Sequence, residues 1–109
     1  MLGLNILGSE VMVSVSAFVR VGGLPKKVDV GIMYYILVAI RDSPSRSLNF
    51  TEIVKQTGYS PNTVAKYIEI MKAKGLVEEK ANKERRFYLT KKGEDFVFLF
   101  SRAIALLGE

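Results

Sequence analysis

The sequence of 109 residues contains no cysteine, no histidine and no tryptophan. These absences exclude disulfides, thiolate nucleophiles, histidine general bases and metal sites built from Cys or His side chains. Serine, lysine and carboxylate side chains remain, but their spacing matches no active-site pattern. We therefore expect a protein that is not an enzyme and that requires no metal and no cofactor.

The sequence also lacks a long apolar run. The longest, residues 30–40, is about half of the roughly 20 residues that a membrane-spanning helix needs. The N-terminal residues 1–8 are apolar, but they have neither a basic start nor a signal-peptide cleavage pattern. We expect a single-domain cytoplasmic protein with no membrane partner.

Acidic residues are fewer than basic ones, 11 against 16, which gives a net charge of +5. The excess lies between residues 50 and 92, where ten basic and five acidic side chains occur, whereas the charges outside this stretch sum to zero. A basic middle between apolar ends suggests one surface for a polyanion and another for a protein partner.

Residues 1–25 are interpreted as an N-terminal extension. Apolar residues alternate along residues 11–21 and predict a strand, while Ser9 followed by Glu10 equally suits the start of a short helix. The extension is therefore a strand, a helix or an arm swapped between protomers. After the breakers in residues 22–25, the apolar density of residues 27–41 predicts a core helix that residues 42–44 end.

Two short helices follow. Asn49 and Glu52 have the spacing of a capping box, and Gly58 is placed to end the helix that they start. Ser60 then caps a second helix over residues 61–74. Each helix carries one apolar stripe for the core: Phe50, Ile53, Val54 and Thr57 on the first, and Val64, Tyr67, Ile68 and Met71 on the second. Together they predict a helix-turn-helix.

The rest of the chain predicts a hairpin and a final helix. Residues 76–89 alternate about a charged tip, which would turn Phe87 and Leu89 towards the core and Arg86 and Tyr88 away from it. The last helix should start at Thr90. Because its apolar surface exceeds one stripe, a small domain cannot bury all of it, and an oligomer interface is the simplest remedy.

This order of elements resembles a winged helix-turn-helix domain, and residues 49–93 carry the resemblance. The stretch TVAKYIEIMKAKGLVEE, followed by ERRFYLTKKGE, is similar to the recognition helix, wing and next helix of small prokaryotic, archaeal-type regulators. It is also similar to multiple-antibiotic-resistance-type repressors and to small archaeal chromatin proteins. The resemblance implies a mostly helical α+β fold, with a winged helix-turn-helix over residues 26–92 and a C-terminal dimerisation helix over residues 93–109.

The residues expected to contact DNA are those on the face of the second helix that remains exposed to solvent. Once its stripe is buried, the opposite face should hold Asn62, Thr63, Lys66, Glu69 and Ile70. Of these we expect Asn62, Thr63 and Lys66 to reach base edges, and Ser60 with the helix amides to hold a phosphate. The alternatives are that Ser60 only caps the helix and that Lys66 is an ordinary solvated lysine.

The wing and the last helix supply the remaining candidate residues. The expected backbone or minor-groove contacts of the wing are Lys80, Asn82, Lys83, Arg85 and Arg86. Glu78, Glu79 and Glu84 lie among them and could neutralise the charge, leaving a solvated turn. The expected dimer interface is Phe96, Leu99, Phe100, Ala103, Ile104 and Leu107. The alternatives for the phenylalanines of this helix are packing within one chain and ligand binding.

These features predict a homodimeric transcriptional regulator that binds double-stranded DNA sequence-specifically, with helix 61–74 in the major groove and wing 78–88 on the backbone or in the minor groove. One alternative is an architectural chromatin protein with little base discrimination. The other is a winged-helix module that binds only proteins, since a fold does not settle a function.

Overall fold

A computed structural model of the chain describes residues 18–20 and 27–108. The described elements follow in the order β1 (Phe18–Arg20), β2 (Lys27–Asp29), α1 (Val30–Arg41), β3 (Ser47–Leu48), α2 (Phe50–Thr57), α3 (Pro61–Ala73), β4 (Val77–Ala81), β5 (Arg85–Leu89) and α4 (Lys91–Gly108). This is the mostly helical α+β order that the sequence predicts. None of the described helices is long and apolar enough to cross a membrane.

A three-stranded antiparallel sheet has the strand order β3-β5-β4. Its register places Leu48 and Glu79 on either side of Phe87, so these three side chains share one face. Phe87 is buried and Leu89 half-buried, whereas Arg86 and Tyr88 lie on the opposite face. The predicted orientation of the hairpin is therefore confirmed.

The helix α1 begins later than its apolar pattern predicts. Residues 27–29 pair with β1 in a short antiparallel ladder, and Val19 lies opposite Val28. Asp29 caps the helix, because its carboxylate accepts a hydrogen bond of 2.8 Å from the amide of Gly31. The predicted start at residue 27 is wrong by three residues. The strand predicted over residues 11–21 is confirmed at residues 18–20, and its remainder and the break at residues 22–25 lie outside the described residues.

The helix α1 forms the centre of the core. Ile36, Leu37 and Ile40 are completely buried on it, and α1 contacts the other three helices and strand β5. Such burial removes most of the water-accessible area of each side chain, at about 1.5–3 kcal/mol per residue. The remaining elements are therefore positioned chiefly by their packing against α1.

Local caps define α2 and α3 as the sequence predicts. Both halves of the capping box form: the Glu52 amide donates to Asn49 Oδ1 at 2.8 Å, and the Asn49 amide donates to Glu52 Oε1 at 2.9 Å. Gly58 ends α2 with a φ of +77°, a left-handed value that glycine adopts without strain. All four stripe residues of α3 are buried, and those of α2 are buried or half-buried.

Candidate nucleic-acid interface

Tyrosines hold α3 in place against α1. The hydroxyl of Tyr67 accepts a hydrogen bond of 2.9 Å from the backbone amide of Asp29. In the turn before α3, the ring of Tyr59 meets the ring of Tyr35 edge-on, with centroids 5.7 Å apart. Burial, with a smaller effect of Tyr35, raises the pKa of Tyr59 to about 12. The orientation of α3 is thus fixed from both its start and its middle.

The exposed face of α3 lies opposite its buried stripe. Its members are Asn62, Ala65, Lys66, Glu69 and Ala73. They recur at the three- and four-residue steps that place side chains on one side of a helix. Ala65 was not predicted there, although its spacing of three from Asn62 and four from Glu69 puts it on this face.

Two residues expected on this face, Thr63 and Ile70, are not among its exposed members. Ile70 is only 9% exposed, so its assignment to the exposed face is wrong. Ile70 belongs to the hydrophobic core, and α3 packs against β4 as well as against the other helices. The exposed face consequently carries two alanines, Ala65 and Ala73, where the sequence predicts Thr63 and Ile70.

The start of α3 uses its polar side chains within the chain. Ser60 Oγ accepts a hydrogen bond of 3.2 Å from the amide of Thr63 and lies 3.0 Å from the hydroxyl of Thr63, which is half-buried. The capping role of Ser60 is confirmed, and a phosphate contact there stays a prediction. Lys66 is exposed, with its Nζ 5.4 Å from the centroid of the Tyr67 ring and no carboxylate partner among the described residues.

Glutamates of the hairpin occupy most of the cations expected in the wing. Lys80 Nζ lies 4.8 Å from the centroid of the Tyr88 ring and 3.9 Å from Glu78. Arg85 pairs with Glu79, and Arg86 pairs with Glu84. The neutralisation that the sequence raised as an alternative therefore occurs at these three cations.

The carboxylate of Glu79, a residue of β4, lies between β5 and α3. One carboxylate oxygen accepts from Lys72 Nζ at 2.7 Å, and the other accepts from Arg85 Nε. These two hydrogen bonds, first that from Arg85 and then that from Lys72, lower the pKa of Glu79 to about 2. Glu79 therefore stays ionised and connects the last turn of α3 to β5.

Arg86 connects the wing to the body of the domain. Its guanidinium donates to Ser47 Oγ at 2.9 Å, to the Ser47 carbonyl at 3.0 Å and to Glu52 Oε1 at 3.3 Å, besides pairing with Glu84. Hydrogen bonds from Asn49 and then Arg86 lower the pKa of Glu84. The side chain expected to grip DNA thus holds β5, β3 and the capping box of α2 together, and its contact with DNA stays a prediction.

The tip of the hairpin remains available. Asn82 and Lys83 are exposed, and Lys83 has no ion pair among the residues that the structure describes. We define the wing tip as these two residues. Together with the exposed face of α3, the wing tip forms the candidate nucleic-acid interface.

Of the six residues expected at a dimer interface, three are exposed and three are partly or fully buried within the chain. Leu99, Ala103 and Leu107 are exposed, whereas Phe96 and Phe100 are half-buried and stack on each other with ring centroids 5.5 Å apart. Ile104 is 4% exposed and belongs to the core of its own chain, so its assignment to the interface is corrected. Packing within the chain, the alternative raised for Phe96 and Phe100, is what the structure shows.

Two further apolar side chains complete the exposed side of α4. Phe98 and Leu106 are 60% and 80% exposed, beside Leu99 at 63% and Leu107 at 85%. We define the α4 stripe as Phe98, Leu99, Ala103, Leu106 and Leu107. Leu106 lies seven residues after Leu99 and three after Ala103, a helical spacing that could have identified it, whereas Phe98, the chain neighbour of Leu99, had no such signal.

The fold and the paired helices α2 and α3 define a class, the winged helix-turn-helix proteins. A family model described as winged helix-turn-helix matches residues 26–107, and the chain belongs to this family. The predicted fold and family are thereby confirmed. No curated protein sequence matches the chain.

Solved structures of transcriptional regulators share the fold. A MarR family regulator from Streptomyces coelicolor aligns with a TM-score of 0.67 and 23% identity, over 71% of this chain and 55% of that one. BpsR of Bordetella bronchiseptica, whose DNA binding is regulated by 6-hydroxynicotinic acid, aligns with a TM-score of 0.57 and 25% identity, over 67% and 56%. The present chain thus spans little more than half of these two proteins.

A shorter protein matches over nearly its whole length. A possible HxlR family transcriptional factor from Thermoplasma volcanium aligns with a TM-score of 0.57 and 19% identity, over 85% of this chain and 94% of that one. At this identity the likeness shows the fold alone. Whether the present chain is of archaeal type stays a prediction.

Proposed function

We propose that the protein is a transcriptional regulator that binds double-stranded DNA as a homodimer in the cytoplasm. The helix α3 enters the major groove, and the wing tip contacts the backbone or the minor groove. The observation that carries this proposal is the exposed face of α3, which presents Asn62 and Lys66 one helical turn apart on a helix whose opposite side is buried. Similarity to solved transcriptional regulators supports it.

The exposed face of α3 suits base edges in the major groove. An Asn side chain can pair bidentately with adenine, a Lys can donate to guanine, and a carboxylate such as Glu69 can accept from cytosine. The methyl group of Ala65 suits contact with the thymine methyl group. Each of these side chains is exposed and lies on one side of α3, so a single insertion of the helix could present them together.

Contacts to phosphate would come from outside this face. Lys83 at the wing tip is a cation with no ion-pair partner among the described residues, and the net charge of the chain is +5. Such contacts position a protein on DNA without reading its sequence, and they make affinity dependent on salt. We therefore assign the reading of the DNA sequence to α3 and the contact with phosphate to the wing tip.

The test is a selection of bound sequences from a random duplex pool, followed by two matched variants. Asn62→Ala should weaken the selected site by about 1–3 kcal/mol and leave binding to random duplex nearly unchanged. Lys83→Ala should weaken both duplexes by a similar factor. Affinities are measured at one salt concentration, and circular dichroism confirms that both variants fold.

Two other outcomes would contradict parts of this proposal. Tight binding with no enriched sequence, or equal losses for both duplexes in Asn62→Ala, would indicate an architectural DNA-binding protein. An absence of duplex binding would leave the module that binds only proteins.

A further inference from the structure

Glu79 occupies a position between the two elements that we propose to contact DNA. It lies opposite Phe87 in the ladder between β4 and β5, on the face of the sheet that turns towards the helices. Its side chain is 17% exposed, and both of its carboxylate oxygens are engaged, one by Lys72 and one by Arg85. Lys72 belongs to the last turn of α3, and Arg85 is the first residue of β5 after the tip of the hairpin.

The two cations have the chemistry of a phosphate site. A guanidinium and an ammonium that converge on one carboxylate can converge equally on one phosphodiester, which also presents two oxygens that share one negative charge. Arg85 is 67% exposed and Lys72 is 32% exposed, so both can be reached from solvent. Within the described part of the chain, Lys72 also lies 3.7 Å from Glu69 on the exposed face of α3.

We propose that Lys72 and Arg85 form a site for a DNA phosphate between α3 and the wing, and that Glu79 occupies this site as an internal competitor. This inference rests on the proposed function. Glu79 withholds two cations from the DNA backbone and thereby lowers the sequence-independent part of the affinity. Of the exposed face of α3, only Glu69 meets this site, 3.7 Å from Lys72, so base reading by Asn62 and Lys66 should be unaffected.

A different role for Glu79 would give the opposite result. If the carboxylate only ties α3 to β4 and β5, its removal loosens the wing and leaves DNA affinity equal or lower. If it is a competitor, its removal frees both cations, and affinity rises. The direction of the change therefore separates the two roles.

The decisive variant is Glu79→Gln, with Glu78→Gln as its matched control. Glu78 is the neighbouring residue on the opposite face of the sheet, and its replacement changes the net charge by the same amount. It also releases Lys80, whose contact with Glu78 is 3.9 Å, so this control contains the gain from one loosely paired wing cation. Affinities for the selected duplex and for a random duplex are measured from 50 to 200 mM salt. Thermal unfolding confirms the fold, and Glu79→Thr, which suits a strand, replaces Glu79→Gln if the latter unfolds.

Two freed cations should steepen the slope of log affinity against log salt by up to about 1.8. Relative to the wild type, Glu79→Gln should therefore gain about tenfold more affinity when salt falls from 200 to 50 mM, equally on both duplexes. In a background carrying Lys72→Gln and Arg85→Gln, the effect of Glu79→Gln should shrink to that of Glu78→Gln.

The outcomes separate this inference from the proposed function. If the wild type binds neither duplex, the proposed function is wrong and this inference falls with it. If the wild type binds but Glu79→Gln behaves like Glu78→Gln, or if its gain persists without Lys72 and Arg85, only the competitor role is overturned.

Discussion

Single residues of the hairpin stabilise the fold through charge as well as through burial. Glu79 and Arg86 each connect strands to helices with ionised side chains, and neither is replaceable by a neutral residue without loss of a partner. Because hydrogen bonds to charged groups are stronger than neutral ones, these contacts fix the geometry of the wing. They also make that geometry sensitive to pH.

Glu79 should make the stability of the protein depend on acid pH. Its pKa is about 2 in the folded chain against an ordinary 4.5, since Arg85 and Lys72 favour the carboxylate. A depressed pKa contributes stability that is complete above about pH 4.5 and is lost as the pH falls towards 2. Between these pH values, the melting temperature of Glu79→Gln should fall less steeply than that of the wild type.

The control for this measurement is Glu78→Gln, which should retain the slope of the wild type. Identical profiles for the wild type and Glu79→Gln would mean that the carboxylate has the same proton affinity in the folded and unfolded chains. The measurement is a series of thermal unfolding curves followed by circular dichroism.

At the scale of elements, the start of α4 is docked closely on the turn that follows α3. Thr90 donates from its amide to the Leu76 carbonyl at 3.0 Å, and its hydroxyl accepts from the amide of Gly93 at 3.0 Å. A Cβ on Gly93 would overlap the Leu76 carbonyl oxygen and come within 3.4 Å of the Leu89 side chain. Backbone atoms cannot move aside as a flexible side chain can, so this contact requires glycine.

Gly93→Ala should therefore destabilise the fold by about 1–3 kcal/mol, as overpacking does. A loss of stability would be informative, because alanine is the better helix former by about 1 kcal/mol and its propensity alone would raise the stability. Gly58→Asn is the control: nothing lies within 4 Å of a Cβ there, so only the left-handed φ, which asparagine tolerates best, opposes it, and it should cost less than Gly93→Ala. Urea unfolding measures both variants, and a Gly93→Ala protein as stable as the wild type would show that α4 can shift away from Leu76.

The elements that sequence analysis predicted best are those whose signals are local. The bounds of α2 follow from the capping box of Asn49 and Glu52 and from Gly58, and the start of α3 follows from Ser60 before Pro61. Each of these signals lies within a few residues of the helix end that it defines. The start of α1 depends instead on the pairing of residues 27–29 with strand β1, and the burial of Ile70 depends on how α3 packs against other elements of the core. Periodicity along one helix carries no information about such partners.

The candidate interface divides in the same way. Asn62 and Lys66 were predictable because burial of one helical face dictates the other. The partners of Arg86 were not, because Ser47 and Glu52 are more than 30 residues away and meet the guanidinium only through the pairing of β3 with β5. A run of basic residues therefore indicated a charged wing but did not show which cations the fold itself uses.

At the scale of the whole molecule, α4 has two sides of different character. One side packs into the core through Val97 and Ile104, and the hydroxyls of Tyr34 and Ser101 lie 2.7 Å apart across its contact with α1. The other side is the α4 stripe, which leaves four large apolar side chains exposed. Because α4 is held firmly to α1, a partner on the stripe would fix the spacing between two copies of α3.

A second copy of the chain is the occupant that we propose for the α4 stripe. In a two-fold dimer the same patch meets itself, so one apolar helix face is sufficient. The helix has 18 residues and is therefore about 27 Å long, enough for an extended helix pair. Pairing of two copies through the α4 stripe would cover the apolar side chains that are exposed in a single chain.

Leu99→Glu combined with Leu106→Glu should accordingly give a folded monomer. Both side chains are exposed in the single chain, so the two carboxylates remain in water unless a partner covers them, and desolvation of unpaired charges then opposes association.

Gln56→Glu adds a carboxylate at an exposed site of α2 and should leave a dimer intact. Phe100→Glu is not a suitable probe, because the Phe100 ring lies 4.9 Å from that of Tyr34 and its loss would disturb the core. Light scattering gives the mass of each variant and circular dichroism its fold. A dimeric double variant, or a wild type that is monomeric at high concentration, would remove the α4 stripe from the assembly and require another surface to pair the DNA-binding helices.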